Sequence, residues 1–295
     1  MIARKVVPVL VAALFALMLC VSGCGMKRVD REGIEAAGKI AVASVVLDRV
    51  ADTSRDGNRL VLQASVNHAR DRVETGLTGA RRWSVLDLAK EQQGKKAQAL
   101  GRVSDADLAA LFPAPEERTR IAGLAQQELA HWKDRYIGAE GLPVIPHGAF
   151  AAEDDGPQSD PALRQVMLQQ AGRLCSVLNV DAVAFMHLRA SVTHPRDSTF
   201  IVTDNRTDGM LRVAATMVIV DRTGRLIADM GWPPLDSSAR THDLLPLYRG
   251  AGRDVVKQEN IDLDDPRKKV PRAFSLLIDE ALEDMMADLK ASAGK

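Results

Sequence analysis

The sequence predicts an α+β fold, an α/β sandwich in which a mixed sheet of about five strands is flanked by helices and interrupted by a helical insert. Three observations predict it. Residues 39–47 (KIAVASVVL) form a nearly continuous apolar, β-branched run, as a strand buried on both faces requires. Residues 60–77 carry Leu62, Val66, Val73 and Leu77 at helical spacing, so one face of a helix is buried. Strand-like and helix-like stretches then alternate, and the order ends in successive strands and a last helix, which gives helices layered on a sheet.

The remaining elements follow in chain order. Gly79 stops the first helix, and residues 83–88 (WSVLDL) read as a short strand. Residues 90–136 look wholly helical and form the insert. Within it, residues 105–112 make a short helix ended by Pro113 and Pro115, and residues 116–136 carry Ile121, Leu124, Leu129 and Trp132 on one side. Residues 138–160 are a Gly- and Pro-rich loop with an acidic patch at Glu153, Asp154 and Asp155. Asp160-Pro161 supplies an N-cap and a proline at the first helical position, opening a helix to residue 178. Residues 181–192 are a strand and 193–209 a polar loop. Residues 211–220 and 226–232 are strands joined by Asp221-Arg222-Thr223-Gly224, a hairpin turn by composition. The domain proper spans 39–232. Residues 233–266 are irregular, and Pro271 opens a final apolar-faced helix that packs on the same domain.

The N-terminus carries the most specific motif. Arg4 and Lys5 precede a run from Val6 to Cys20, 15 residues without a charge. That suits the apolar core of an export signal and falls short of the ~18–20 residues that span a bilayer. Val21-Ser22-Gly23-Cys24 follows, the lipobox pattern of a branched apolar residue, two small ones and a cysteine. The small pair opens the backbone to a peptidase cutting between Gly23 and Cys24, and the Cys24 thiol accepts the lipid. Residues 1–23 are therefore expected to be a lipoprotein signal peptide. Residues 24–38, polar and charged, are expected to be a tether reaching at most about 50 Å. Gly25 replaces the aspartate expected of inner-membrane retention, so a lipid anchor in the outer membrane, facing the periplasm, is expected, with the inner membrane as the alternative.

Removing the first 23 of the 295 residues leaves a mature chain of 272. Loss of Arg4 and Lys5 from 39 basic and 39 acidic residues leaves a net charge of −2, so no basic excess exists to hold nucleic acid. Cys20 leaves with the signal and Cys24 is lipidated. Cys175 then has no disulfide partner, and stability must come from a packed core.

The segments KIAVASVVL, VETGLTGARRWSVLDLAK, AGRLCSVLNVDAVAFMHLRASV and MVIVDRTGRLIADM, in this order, resemble the curli-secretion (CsgG-like) lipoprotein family and the related TolB amino-terminal domain. The likeness rests on Arg82–Asp87 leading into a strand, on Leu178–Val183 joining helix to strand, and on the turn at Asp221–Gly224; the insert interrupts it. It implies a periplasmic lipoprotein that binds envelope-assembly or secretion machinery, or a peptidoglycan synthase. Pore-forming members imply membrane hairpins. Here residues 198–220 carry Asp204, Arg206 and Asp208 near their middle after too short a first arm, which argues against a pore.

Catalytic constellations are scarce. Cys175 lies on the apolar side of its helix beside Leu174 and Leu178, as a small buried hydrophobe would. His187, His194 and Asp197 could converge as metal ligands, but the favoured reading makes His187 an outward strand residue and His194-Pro195 a turn. Asp204–Gly209 lacks the ligands of a calcium loop. Asp262, Asp264 and Asp265, next to Arg267, Lys268 and Lys269, read as a solvated surface. Packing of the insert onto the main sheet is the favoured reading of Trp132, Tyr136, Ile145 and Phe150, with a candidate partner surface as the other. The expected function is a non-enzymatic binding or assembly module without cofactor or metal. An oligomeric secretion-channel component and a metal-dependent envelope enzyme are the alternatives.

Overall fold

The computed structural model describes residues 28–48, 56–79, 83–150, 160–193, 210–232 and 272–293. The chain enters through β1 (Arg28–Val29) and α1 (Arg31–Ala36), then β2 (Lys39–Asp48), α2 (Asp56–Gly79) and β3 (Ser84–Leu86). The insert supplies α3 (Glu91–Gln98), α4 (Asp105–Leu111) and α5 (Pro115–Arg135), and α5 runs directly into β4 (Tyr136–Gly138). After a 3-10 turn at His147–Ala149 come α6 (Pro161–Leu178), β5 (Ala182–Thr193), β6 (Met210–Asp221), β7 (Leu226–Trp232) and α7 (Arg272–Ser292). The fold is α+β, as expected.

One mixed sheet runs in the order β1-β7-β6-β5-β2-β3, with β4 paired to the end of β2. The strand β2 lies parallel to β3 and β5, while β5, β6 and β7 form an antiparallel meander. From β2 the chain moves outward through α2 to β3, then returns through the insert and α6 to β5 on the other side of β2. Right-handed crossovers in opposite directions put α2 and α6 on opposite faces. Helix α7 packs beside α2 and onto β6 and β7. Covered on both sides, β2 keeps Ile40 through Leu47 buried, which is what its unbroken apolar run encodes.

Three residues, Asn179, Asp181 and Asp221, lock the lower end of the sheet, where β2 and β5 begin. Asn179 caps α6 in the left-handed region (φ 53°), and Asp181 accepts from the amides of Gly38 (3.1 Å) and Lys39 (2.8 Å). Arg222 donates to the Val180 carbonyl at 2.8 and 3.1 Å. Asp221 accepts from the Thr223 amide (2.8 Å), the Thr223 hydroxyl (2.6 Å) and the Arg225 amide (3.0 Å), which winds the β6–β7 turn. Gly224 has φ +79°, and a Cβ there would meet the Leu168 carbonyl oxygen at 2.9 Å. Gly172 completes this contact, since its own Cβ would stand 2.7 Å from the Gly224 nitrogen.

Three expectations are corrected. Residues 28–37 are not tether: β1 pairs antiparallel with β7, Asp30 caps α1 through the Gly33 amide (3.2 Å), and Ile34 is wholly buried. The insert is not helical to its last residue: Tyr136, with Ile137 and Gly138, forms a strand, β4, paired with Asp48, Leu47 and Val46. With β1 and β4 added to the five strands expected, the described sheet has seven. The expected strand at residues 83–88 shortens to Ser84–Leu86 because only three rungs pair with β2.

Candidate functional site

At the upper end of the sheet the chain leaves β2 toward β3 and leaves β5 toward β6, in opposite directions. Three side chains meet there. His187 of β5 turns Nε2 to Asp48 Oδ1, 3.0 Å away, at the last residue of β2. Tyr136 of β4 sets its ring edge-on to the imidazole, with centroids 5.0 Å apart and planes at 79°. The Arg135 guanidinium lies 5.5 Å from the Tyr136 ring centre, within cation–π range. The Thr216 hydroxyl donates to the His187 carbonyl at 3.4 Å.

Burial pushes the His187 imidazole below its ordinary range, although the hydrogen bond and charge of Asp48 pull it up. The ring is therefore neutral near pH 7. Its Nε2, facing the carboxylate, carries the proton, and the buried Nδ1 has no hydrogen-bond partner among the described residues. Burial, and then the Asp48 charge, push the Tyr136 phenol above its ordinary value.

A second pair lies on the same face of the sheet. His147, in the 3-10 turn, brings Nε2 to 2.7 Å from Asp229 Oδ1 of β7. Phe150, three residues on, packs against Phe185 with ring centres 4.2 Å apart. Ser44 of β2 fixes the approach to this turn, lying 2.8 and 3.0 Å from the carbonyls of Pro143 and Ile145 and accepting from the Ile145 amide at 3.1 Å. The insert docks through polar contacts too. Asp107 closes a capping box with Ser104, pairs with Arg173 and accepts from Gln170 at 3.3 Å.

The candidate partner surface is a correction. Trp132, Tyr136, Ile145 and Phe150 are 7%, 8%, 0% and 0% exposed, so they pack the insert and its following loop onto the sheet rather than face a partner. His187 is likewise not an outward residue, since it is 3% exposed and paired with Asp48. Its proposed co-ligands His194 and Asp197 lie outside the described residues, as do Gly23, Cys24, the acidic patch at 153–155, residues 204–209 and the charged cluster at 262–269. Among the described residues, no group of three His, Cys, Asp or Glu is placed to hold a metal. Cys175 is wholly buried, and burial, with Asp221 adding, pushes its thiol up to about 12.

Asp48, His147 and Asp229 were not singled out from sequence. A signal exists for Asp229: LIADMGW places one charge inside an apolar strand, and a buried carboxylate requires a partner. The partner, His147, comes from a distant loop that no local pattern marks.

No family model, curated protein or solved structure matches this chain. Among the described residues no helix is long and apolar enough to cross a membrane. The site therefore has to be judged on its own chemistry. A neutral histidine oriented by a carboxylate has the form of a general base. Beside it stand the edge-on Tyr136 ring and the Thr216 hydroxyl, which donates to the His187 carbonyl.

Proposed function

We propose that this chain is a membrane-anchored lipoprotein of the outer membrane, facing the periplasm, and that it acts without catalysis as a binding or assembly module for envelope or secretion machinery. One observation carries the reading. A charged start, a 15-residue uncharged run and Val21-Ser22-Gly23 end together on the one thiol, Cys24, that a lipid could occupy. The acyl chains hold the molecule at the membrane, and concentration at that surface raises the occupancy of a weak protein partner. The likeness to curli-secretion and TolB amino-terminal domains favours an envelope protein as that partner. The mixed sheet with a parallel β2–β5 pair and a β5–β6–β7 meander is compatible with it. The buried His–Asp pairs support a structural role, because both join distant segments of the core. The net charge of −2 on the mature chain favours a protein over a nucleic acid.

Growth with an alkyne fatty acid tests the anchor. Wild-type protein is expected to incorporate label and fractionate with membranes, and Cys24→Ala is expected to do neither. Crosslinking in the native envelope followed by mass spectrometry is expected to capture an envelope protein.

One observation favours a second reading, an oligomeric secretion-channel component. The β5–β6 ribbon projects past the last β7 pairing, from Ala214 paired with Arg189 to Met210 paired with Thr193. A soluble monomer from the Cys24→Ala chain would remove this alternative.

A further inference from the structure

The first folded residues fix which end of the molecule the anchor reaches. Arg28 pairs with Asp229, Asp229 with Val218, Val218 with Phe185 and Phe185 with Ser44, so these residues share one level of the sheet. The strand β1 runs antiparallel to β7, so its first residue, Arg28, is the one nearer the upper end, where β7 finishes at Trp232 and β2 at Asp48. Cys24 is four residues before Arg28 and cannot lie more than ~14 Å from it. A 24–38 tether would have allowed any orientation; four residues do not.

The ribbon sharpens the constraint. Thr193 stands eight residues beyond Phe185 on β5, about 27 Å up the strand at ~3.4 Å per residue. The ribbon therefore outreaches the anchor by about 13 Å, taking the ~14 Å limit of a four-residue chain. A bilayer lying across the upper end and close enough to take acyl chains from Cys24 is also close enough to meet the ribbon.

We propose that this upper end, where β2 and β7 finish and the β5–β6 ribbon projects, rests on the phospholipid surface that holds the Cys24 anchor. The proposal rests on the lipoprotein reading above. It leaves the lower end, with the Asp221–Arg225 turn and the start of β3, facing away from the membrane and open to a protein partner. The rival arrangement has the bilayer along the β1 edge. That would cover the Thr223 turn beside β7 and expose Asp134, which precedes β4 at the far side of the upper end.

Thiol accessibility separates the two. Native Cys175 is buried, so single-cysteine variants of the mature lipidated protein need no other change, and reaction at Cys175 reports misfolding. Asp134→Cys and Thr223→Cys, both at exposed positions, are inserted into the outer leaflet of preformed phosphatidylethanolamine–phosphatidylglycerol vesicles and treated with a polymer-bearing maleimide. Against the same protein in detergent, labelling at 134 is expected to slow about tenfold and labelling at 223 to stay within about twofold. A second pair, Gly231→Cys above and Ser84→Cys below, replaces the first if Cys175 reacts, and is read the same way. Open labelling at 134, or protection at 223, in lipid-bearing protein overturns the orientation alone. A chain with no lipid on Cys24 overturns both this proposal and the lipoprotein reading.

Discussion

At the residue scale, titration gives two opposite signatures. His187 has a lowered pKa in the fold, so below about pH 6.5 the unfolded chain binds the extra proton first. Stability from this residue is full above that pH and is lost as pH falls toward the lowered value. His187→Gln is therefore expected to flatten the decline of Tm between pH 6.5 and 5, measured by thermal melts; an unchanged slope would contradict it. Glu74 of α2 behaves in reverse. Burial, opposed by Arg70 and reinforced by Asp87 and Asp71, raises its carboxyl from 4.5 to about 7. Stability is then full below pH 4.5 and falls as pH rises through 7. The rise corresponds to about 3 kcal/mol at ~1.4 kcal/mol per pH unit, which water on the half-open side reduces to about 1 kcal/mol. Glu74→Gln should therefore be more stable than wild type by about 1 kcal/mol at pH 8 and equal to it at pH 4, by denaturant titration. Little of this was legible in sequence. The charge of Asp229 and the imidazole of His187 stand visibly inside apolar strands, but their partners come from segments 82 and 139 positions away.

At the scale of elements, long patterned segments were readable and short ones were not. The helix α2 buries Leu62, Val66, Val73 and Leu77, the four positions that its spacing selects. The helix α6 begins at the Asp160 cap and Pro161, as Asp-Pro chemistry requires. By contrast β1 has two residues and β4 three, too few for a period of two to show. Both exist because a neighbouring strand edge offers pairing, which is information held by the sheet and not by the segment. The reassignment of residues 28–37 makes a sharp prediction. Ile34→Ala should cost 2–4 kcal/mol, the usual range of about that size for a fully buried aliphatic side chain, whereas a tether residue would cost nothing. Gly172→Ala tests the contact of α6 with the β6–β7 turn. Its methyl would press on backbone atoms of Arg222 and Gly224, so a loss of about 2 kcal/mol is expected in the same unfolding assay.

For the whole molecule, the sheet order joins stability to placement. The strand β2 is the shared wall of both crossovers, and its buried run was the plainest structural signal in the sequence. The antiparallel edge, β7 with β1, fixes Arg28 on the sheet, four residues after Cys24, the proposed site of the anchor. The proposed lipobox is a local pattern, four consecutive residues after an uncharged run, and so is visible in sequence. The orientation is not, because it depends on a pairing between residues 28 and 229. The most direct test of the central claim is intact-mass analysis of the protein extracted from the envelope of its native cell. The account predicts a chain beginning at Cys24 whose mass exceeds that of residues 24–295 by a diacylglyceryl group and any further acyl chain. A mass that includes residues 1–23, or a chain starting at Cys24 with no added lipid, would contradict it.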